Sequence, residues 1–206
     1  MDSRKKIAIM IPVYDHVPAK SFGNIIGFLT ETAKKFQVSI LITDSTHVTL
    51  ARNILLENFL KTDSEYALFI DSDMILPPNT LEELLSHDKD VISALYLRKA
   101  PPYYPVCMKS IGEEKYEIIT QLPESSEFEV DATGLGCFLV KREVIEKVAK
   151  TKPVFTMENK PDLRVKSEDT IFCEKIKKAG YKIWVSRKAT AGHFGAIIAP
   201  APYNPK

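Results

Sequence analysis

The segment YALFIDSDMILPP, residues 66–78, runs from an apolar stretch straight into two aspartates one residue apart. Ala67 to Ile70 reads as a strand buried on both faces, the habit of parallel sheets. Alternate residues of a strand point the same way. Asp71 and Asp73 therefore present two carboxylates to one spot wherever the strand geometry persists. Two like charges so placed repel unless a cation sits between them. Hard oxygen ligands of this kind suit Mg2+ or Mn2+. The same residues also read as a turn leading to the next helix. The pattern is short and common, and by itself it leaves both readings open.

Working outward, the first hundred residues alternate strand and helix. Ile7 to Val13 is a continuous apolar run with Pro12 near its end, followed by a loop over 14–21. Ser21 to Phe36 has helical spacing, Val38 to Thr43 reads as a second buried strand, and Thr49 to Leu60 is helical with Thr46 or Thr49 as its cap. After Pro77 and Pro78, Asn79 caps a helix over Leu81 to Ser86, and Val91 to Leu97 is a fourth strand. This alternation predicts a doubly wound, mostly parallel α/β sheet of Rossmann-like type. Ligands collect at the carboxyl ends of such strands. Asp15, Asp44, Asp71 and Asp73 all stand at or just past such ends.

The second half is less regular and reads as a small β-rich part. Short strands are expected at Val106–Ser110 and Tyr116–Thr120, and a glycine-interrupted strand at Val130–Val140. A helix follows at Arg142–Ala149, then a Pro- and Lys-containing loop at 150–166. Ser167 caps a helix from Glu168 to Ala179 with Gly180 as its stop. YKIWVS is a last strand. The expected organisation is one domain over 1–206, with halves at 1–98 and 99–195 and a tail at 196–206.

Composition bounds the function. The chain has 206 residues, is 45% hydrophobic and 27% charged, and carries a net charge of +1. That balance offers no overall basic field for nucleic acid. The widely spaced Cys107, Cys137 and Cys173 fit neither a zinc pattern nor a disulfide framework, which favours a reducing, cytoplasmic setting. The apolar run near the start is too short for a signal peptide, and no stretch approaches the ~20 apolar residues of a transmembrane segment. Neither G-x-G-x-x-G nor G-x-x-x-x-G-K-[ST] occurs, which disfavours dehydrogenase and P-loop readings.

Four segments together resemble the nucleotide-sugar-dependent glycosyltransferases of the A-type (GT-A) fold, specifically the family-2-like group. IAIMIPVYD is similar to that family's first strand and nucleotide-facing loop, and ALFIDSDM to its D-x-D strand. ATGLGCFLVKREVIEKV resembles its acceptor-side strand and following helix. SEDTIFCEKIKKAGYKIWVSRKATAGHFG resembles its Glu-Asp helix, next strand and histidine. The four span residues 7 to about 195 in order.

The resemblance implies roles. Asp73, with Asp71 near it and Ser72 between, would bind a divalent metal (Mn2+ or Mg2+) and through it the diphosphate of a nucleoside-diphosphate sugar. His193 would be a further metal ligand. Asp169 would be the general base of an inverting transfer, with Glu168 orienting the acceptor. A helix N-terminus stabilises negative charge, which by itself would weaken Asp169 as a base. Pro12, Tyr14, Asp15, Asp44 and Arg52 would line the nucleotide end. Tyr14 also reads as packing and Arg52 as a solvated helix face. Gly134 would let the backbone approach sugar or acceptor, or else mark a strand bulge. PPYYP and the loop 151–166 read as acceptor walls, a lid or a rigid connector.

The acceptor stays open among a saccharide, a lipid carrier, a protein side chain and a modified base. A nucleotidyltransferase acting on sugar phosphates is an alternative, although PVYDHVPAKSF lacks the glycine-rich basic loop of that class. A non-catalytic nucleotide-sugar-binding module is another.

Overall fold

The computed structural model describes residues 3–45, 47–159, 165–195 and 198–199. The elements follow in chain order. The first half comprises β1 (Lys6–Val13), α1 (Ala19–Lys35), β2 (Gln37–Asp44), α2 (Val48–Leu60), β3 (Tyr66–Ile70), β4 (Met74–Ile75), α3 (Thr80–Ser86) and β5 (Val91–Leu95). The second half begins with β6 (Cys107–Ser110), β7 (Tyr116–Ile118), β8 (Glu127–Val130), β9 (Ala132–Thr133), β10 (Cys137–Lys141) and α4 (Arg142–Val148). It ends with β11 (Glu158–Asn159), β12 (Val165–Lys166), α5 (Glu168–Lys178), β13 (Ile183–Thr190), β14 (Gly192–Phe194) and β15 (Ile198–Ala199).

The central sheet has seven strands in the order β2-β1-β3-β10-β5-β13-β8. Strands β1, β2, β3, β5 and β13 run one way, and β10 and β8 run against them. The expected α/β architecture with a mostly parallel sheet is therefore present. Alternation along each strand divides the core between two helical layers. Ala8, Met10, Ala67, Phe69, Phe138 and Val140 face α2, α4 and α5. Ile7, Ile9, Ile11, Leu68, Ile70 and Leu139 face α1 and α3.

Several expectations change. The second strand is not buried: β2 is the sheet edge, with Ile40 and Ile42 exposed, because among the described residues β1 alone pairs with it. Thr49 lies inside α2, whose N-cap is His47 with no side-chain cap bond; Thr46 lies outside the described residues. Asn79 is the N-cap of α3 but makes no side-chain cap bond. The expected strand Val130–Val140 is three pieces: β8 and β10 join the main sheet, and β9 joins β6 and β7. At α5, the Ser167 hydroxyl does accept from the Thr170 N–H at 3.4 Å, and Gly180 takes φ +91° past the helix end.

The first part of the loop expected at 150–166 is built into the core rather than poised as a lid. Asn53 Nδ2 donates to the Phe155 carbonyl at 2.8 Å, and its Oδ1 accepts from the N–H groups of Val154 and Phe155 at 3.1 Å. Phe155 then packs on Phe172 at a centroid distance of 4.6 Å, and both rings contact Phe69. Side chains at the start of α5 are thus held against the tip of β3.

A second brace turns the chain into the site. β13 breaks register between Ser186 and Thr190. There the Ser186 hydroxyl accepts from the N–H groups of Lys188 and Ala189 and donates to His87 Nε2 at 2.8 Å. His87 Nδ1 in turn donates to Glu127 Oε2 at 3.0 Å. Beyond this bulge β14 pairs antiparallel with β4, placing His193 opposite Met74.

Phe172 is fully buried among three other rings. Phe172→Ala is expected to cost about 3–5 kcal/mol of unfolding free energy, the usual loss for emptying such a site. Urea denaturation followed by circular dichroism measures it.

Candidate active site

The carboxyl ends of β1 and β3, the first turns of α2 and α5, and β14 converge on one cavity of ≈ 340 Å³. At its floor lies Arg52, only 2% exposed. Its Nη1 donates to Glu168 Oε1 at 2.8 Å and also to Asp169 Oδ1, while Nη2 donates to Asp71 Oδ1 at 2.8 Å. Burial opposes the guanidinium charge, but Asp169, Asp71 and Glu168 outweigh burial and raise its pKa. Arg52 is therefore neither a solvated helix face nor free for a ligand phosphate. It is the hub that joins β3 to α5.

The strand-based expectation for the two aspartates fails. β3 ends at Ile70, and the Met74 N–H donates to the Asp71 carbonyl at 3.1 Å, closing a turn. A turn has no two-residue repeat, so the carboxylates part company. Asp71 goes to Arg52. Asp73 Oδ2 meets Lys99 Nζ at 2.9 Å and His193 Nε2 at 3.4 Å. Burial works against the Asp73 charge, yet His193 and Lys99 prevail and hold its pKa at about 2.

His193 is fixed on both sides. The Phe194 N–H donates to the Asp73 carbonyl at 2.7 Å, tying the two residues through the backbone. His193 Nδ1 is 3.0 Å from the Leu97 carbonyl, which can only accept, so Nδ1 carries a proton. Nε2 then faces Asp73. The pair offers one carboxylate oxygen, the ligand type that Mn2+ and Mg2+ take, and one imidazole nitrogen oriented by a carbonyl. Among the described residues, no group of three or more His, Cys, Asp or Glu is gathered as a metal site. The charge balance leaves room for a dication: Asp71, Asp73, Glu168 and Asp169 face two cations, Arg52 and Lys99.

Asp169 has the opposite environment to Asp73. Burial pushes its carboxyl up to about 6, assisted by Asp71 and Glu168 and opposed by Arg52 and the Leu135 N–H. Desolvation and like charge therefore outweigh the helix N-terminus that argued for a weak base. The Leu135 N–H lies 3.4 Å from Asp169 Oδ2.

Pro12, Tyr14, Arg52, Asp71, Ser72, Asp73, Glu168, Asp169 and His193 all line the cavity. Asp15 and Asp44 do not. Asp15 points into solvent beside His16, and Asp44 closes the edge strand and is exposed. Gly134 lines a neighbouring cavity instead. A Cβ at Gly134 would meet the Tyr96 hydroxyl at 2.3 Å, so close packing by itself demands glycine there. Sequence reasoning missed Lys99 and Tyr96. Lys99 follows β5 and was legible as a basic residue past a strand end, whereas Tyr96 looks like one more apolar strand residue.

Comparisons with known proteins agree on the fold. Residues 17–105 match the family model of Anp1, a glycosyltransferase-like family. No curated protein sequence matches. The crystal structure of A197 from STIV superposes with a TM-score of 0.65 at 20% identity, covering 98% of this chain and 97% of that one. The crystal structure of GalNAc-T7 with UDP, GalNAc and Mn2+ superposes with a TM-score of 0.60 at 11% identity, covering 96% of this chain and 45% of that one. The chain has a GT-A-like fold; the narrower family-2 grouping is not part of these findings.

Removing Arg52 would strand three carboxylates around a buried gap. Arg52→Met is expected to cost about 3–5 kcal/mol at pH 8. The cost should be smaller at pH 5, where Asp169 takes up a proton. Denaturant unfolding at the two pH values checks both statements.

Proposed function

We propose that this protein is a metal-dependent glycosyltransferase that moves a sugar from a nucleoside-diphosphate sugar to an acceptor hydroxyl with inversion. One observation carries the reading: a single cavity gathers Asp73 beside His193 and Asp169 against Arg52, and their surroundings drive the two carboxylates apart in acidity, Asp73 to about 2 and Asp169 to about 6. The first suits a permanently ionised metal ligand, and the second suits a proton acceptor near neutral pH. The GT-A-like fold supports the same reading. Residues 1–98 then serve mainly the donor, and 99–195 supply the base and the histidine.

Asp73 and His193 would hold the divalent cation, which when bound acts as a Lewis acid toward the leaving diphosphate. Asp71 serves through Arg52 rather than as a direct ligand. Pro12, Tyr14 and Ser72 line the donor side of the cavity. Asp169 accepts the proton of the acceptor hydroxyl as its oxygen bonds to the anomeric carbon and the bond to the diphosphate oxygen breaks. Glu168 and Asp71, through Arg52, fix the Asp169 carboxylate in place. The three cysteines are free and buried, in keeping with a reducing, cytoplasmic setting. Among the described residues no helix is long and apolar enough to cross a membrane.

Uridine diphosphate with Mn2+ is the first ligand pair to test, given the ligands of the GalNAc-T7 structure. It is expected to raise the melting temperature, and Asp73→Ala should abolish the increase. If no common nucleoside diphosphate produces a shift, the donor assignment fails. Asp169→Asn should lower kcat by about 10²–10⁴ while leaving that shift intact. A base with a pKa of about 6 must be ionised to act. The rate of transfer should therefore fall as pH drops through about 6.

A further inference from the structure

Asp169 faces two cavities. Beside the one described above lies a second, of ≈ 240 Å³, lined by Arg98, Pro105, Val106, Met108, Ile118, Thr133, Gly134, Ser167 and Asp169. Its walls are mainly apolar. The two hydroxyls are already committed. Thr133 Oγ1 donates to the Val106 carbonyl, and Ser167 Oγ caps α5 by accepting from the Thr170 N–H. Asp169 gives Oδ1 to Arg52, and its Oδ2 lies toward Leu135 and Gly134.

Among the described residues, Arg98 differs from the other two cations that line these cavities, Arg52 and Lys99. Arg52 and Lys99 are paired with carboxylates. The Arg98 main chain is anchored by its N–H to the Tyr104 carbonyl at 2.9 Å. Among the described residues, its guanidinium makes no hydrogen bond or ion pair. Arg98 is exposed, and a planar cation without a partner lining an apolar pocket can recognise a carboxylate or phosphate group.

We propose that this second cavity seats the acceptor, and that it selects a glycoside carrying an anionic group. The sugar's apolar face or an aryl aglycone packs on Val106, Met108 and Ile118. The anionic group meets Arg98, and the reacting hydroxyl meets Asp169. This assignment rests on the transferase reading for the base, but not for the binding. The cavity is smaller than the ~300 Å³ at which drug-sized pockets begin, so it holds one ring and leaves the rest of a longer acceptor outside.

The test compares three probes by isothermal titration calorimetry, with uridine diphosphate and Mn2+ titrated separately: p-nitrophenyl β-D-glucuronide, p-nitrophenyl β-D-glucoside, and the latter's 6-phosphate. At least one anionic probe should bind about tenfold tighter than the neutral one, the worth of a charge-assisted hydrogen bond. Which anion wins separates a carboxylate from a phosphate acceptor. Arg98→Gln should erase the preference, and Ile118→Trp should weaken all three probes; neither should alter nucleotide binding. Equal binding of neutral and anionic probes, no binding of any, or a preference that survives Arg98→Gln overturns the proposal. Nucleotide binding without an anionic preference sinks this inference alone. An anionic preference without nucleotide binding sinks the donor assignment and leaves the anion site standing.

Discussion

One buried guanidinium holds the site together. Arg52 bonds carboxylates from the end of β3 and from both opening residues of α5. A cation with so little solvent contact survives only because three anions surround it, and those anions remain close together only because it lies between them. The pair of elements it joins is fixed a second time by the Phe69–Phe155–Phe172 cluster behind it. Charge in front and aromatic packing behind set the position of Asp169.

That arrangement separates two aspartates with the same intrinsic chemistry. Asp73 has Lys99 and His193 beside it, both favouring its ionised form. At Asp169, desolvation and two neighbouring acids oppose ionisation more than Arg52 favours it. A single cavity thereby contains one carboxylate suited to a cation and another suited to a proton. The Asp169 side chain also lines two cavities, one of mixed polar and apolar character and one largely apolar.

Much of the fold was legible in the sequence because buried parallel strands and amphipathic helices leave strong local patterns. The strand-helix alternation of the first hundred residues, the Ser167 cap and the Gly180 stop are all local events. The antiparallel strand β10, inserted between β3 and β5, was not legible. CFLV reads as a buried strand in either direction, and only pairing reveals which. The exposure of β2 was hidden for the same reason: edge and centre differ by a neighbour, not by composition.

For the site, the sequence by itself determined the inventory: the acidic residues past the strand ends, the Glu-Asp start of α5, and a histidine after the last long strand. Each is a local feature of a strand end or a helix start. Only the tertiary structure decided who faces whom. The turn at 71–74 sends Asp71 to Arg52 and Asp73 to His193. The β4–β14 pairing brings residues 73 and 193 together, and Asp15 and Asp44 are left outside. Electrostatic roles depend on through-space distance and burial, and neither is a property of positions along a chain.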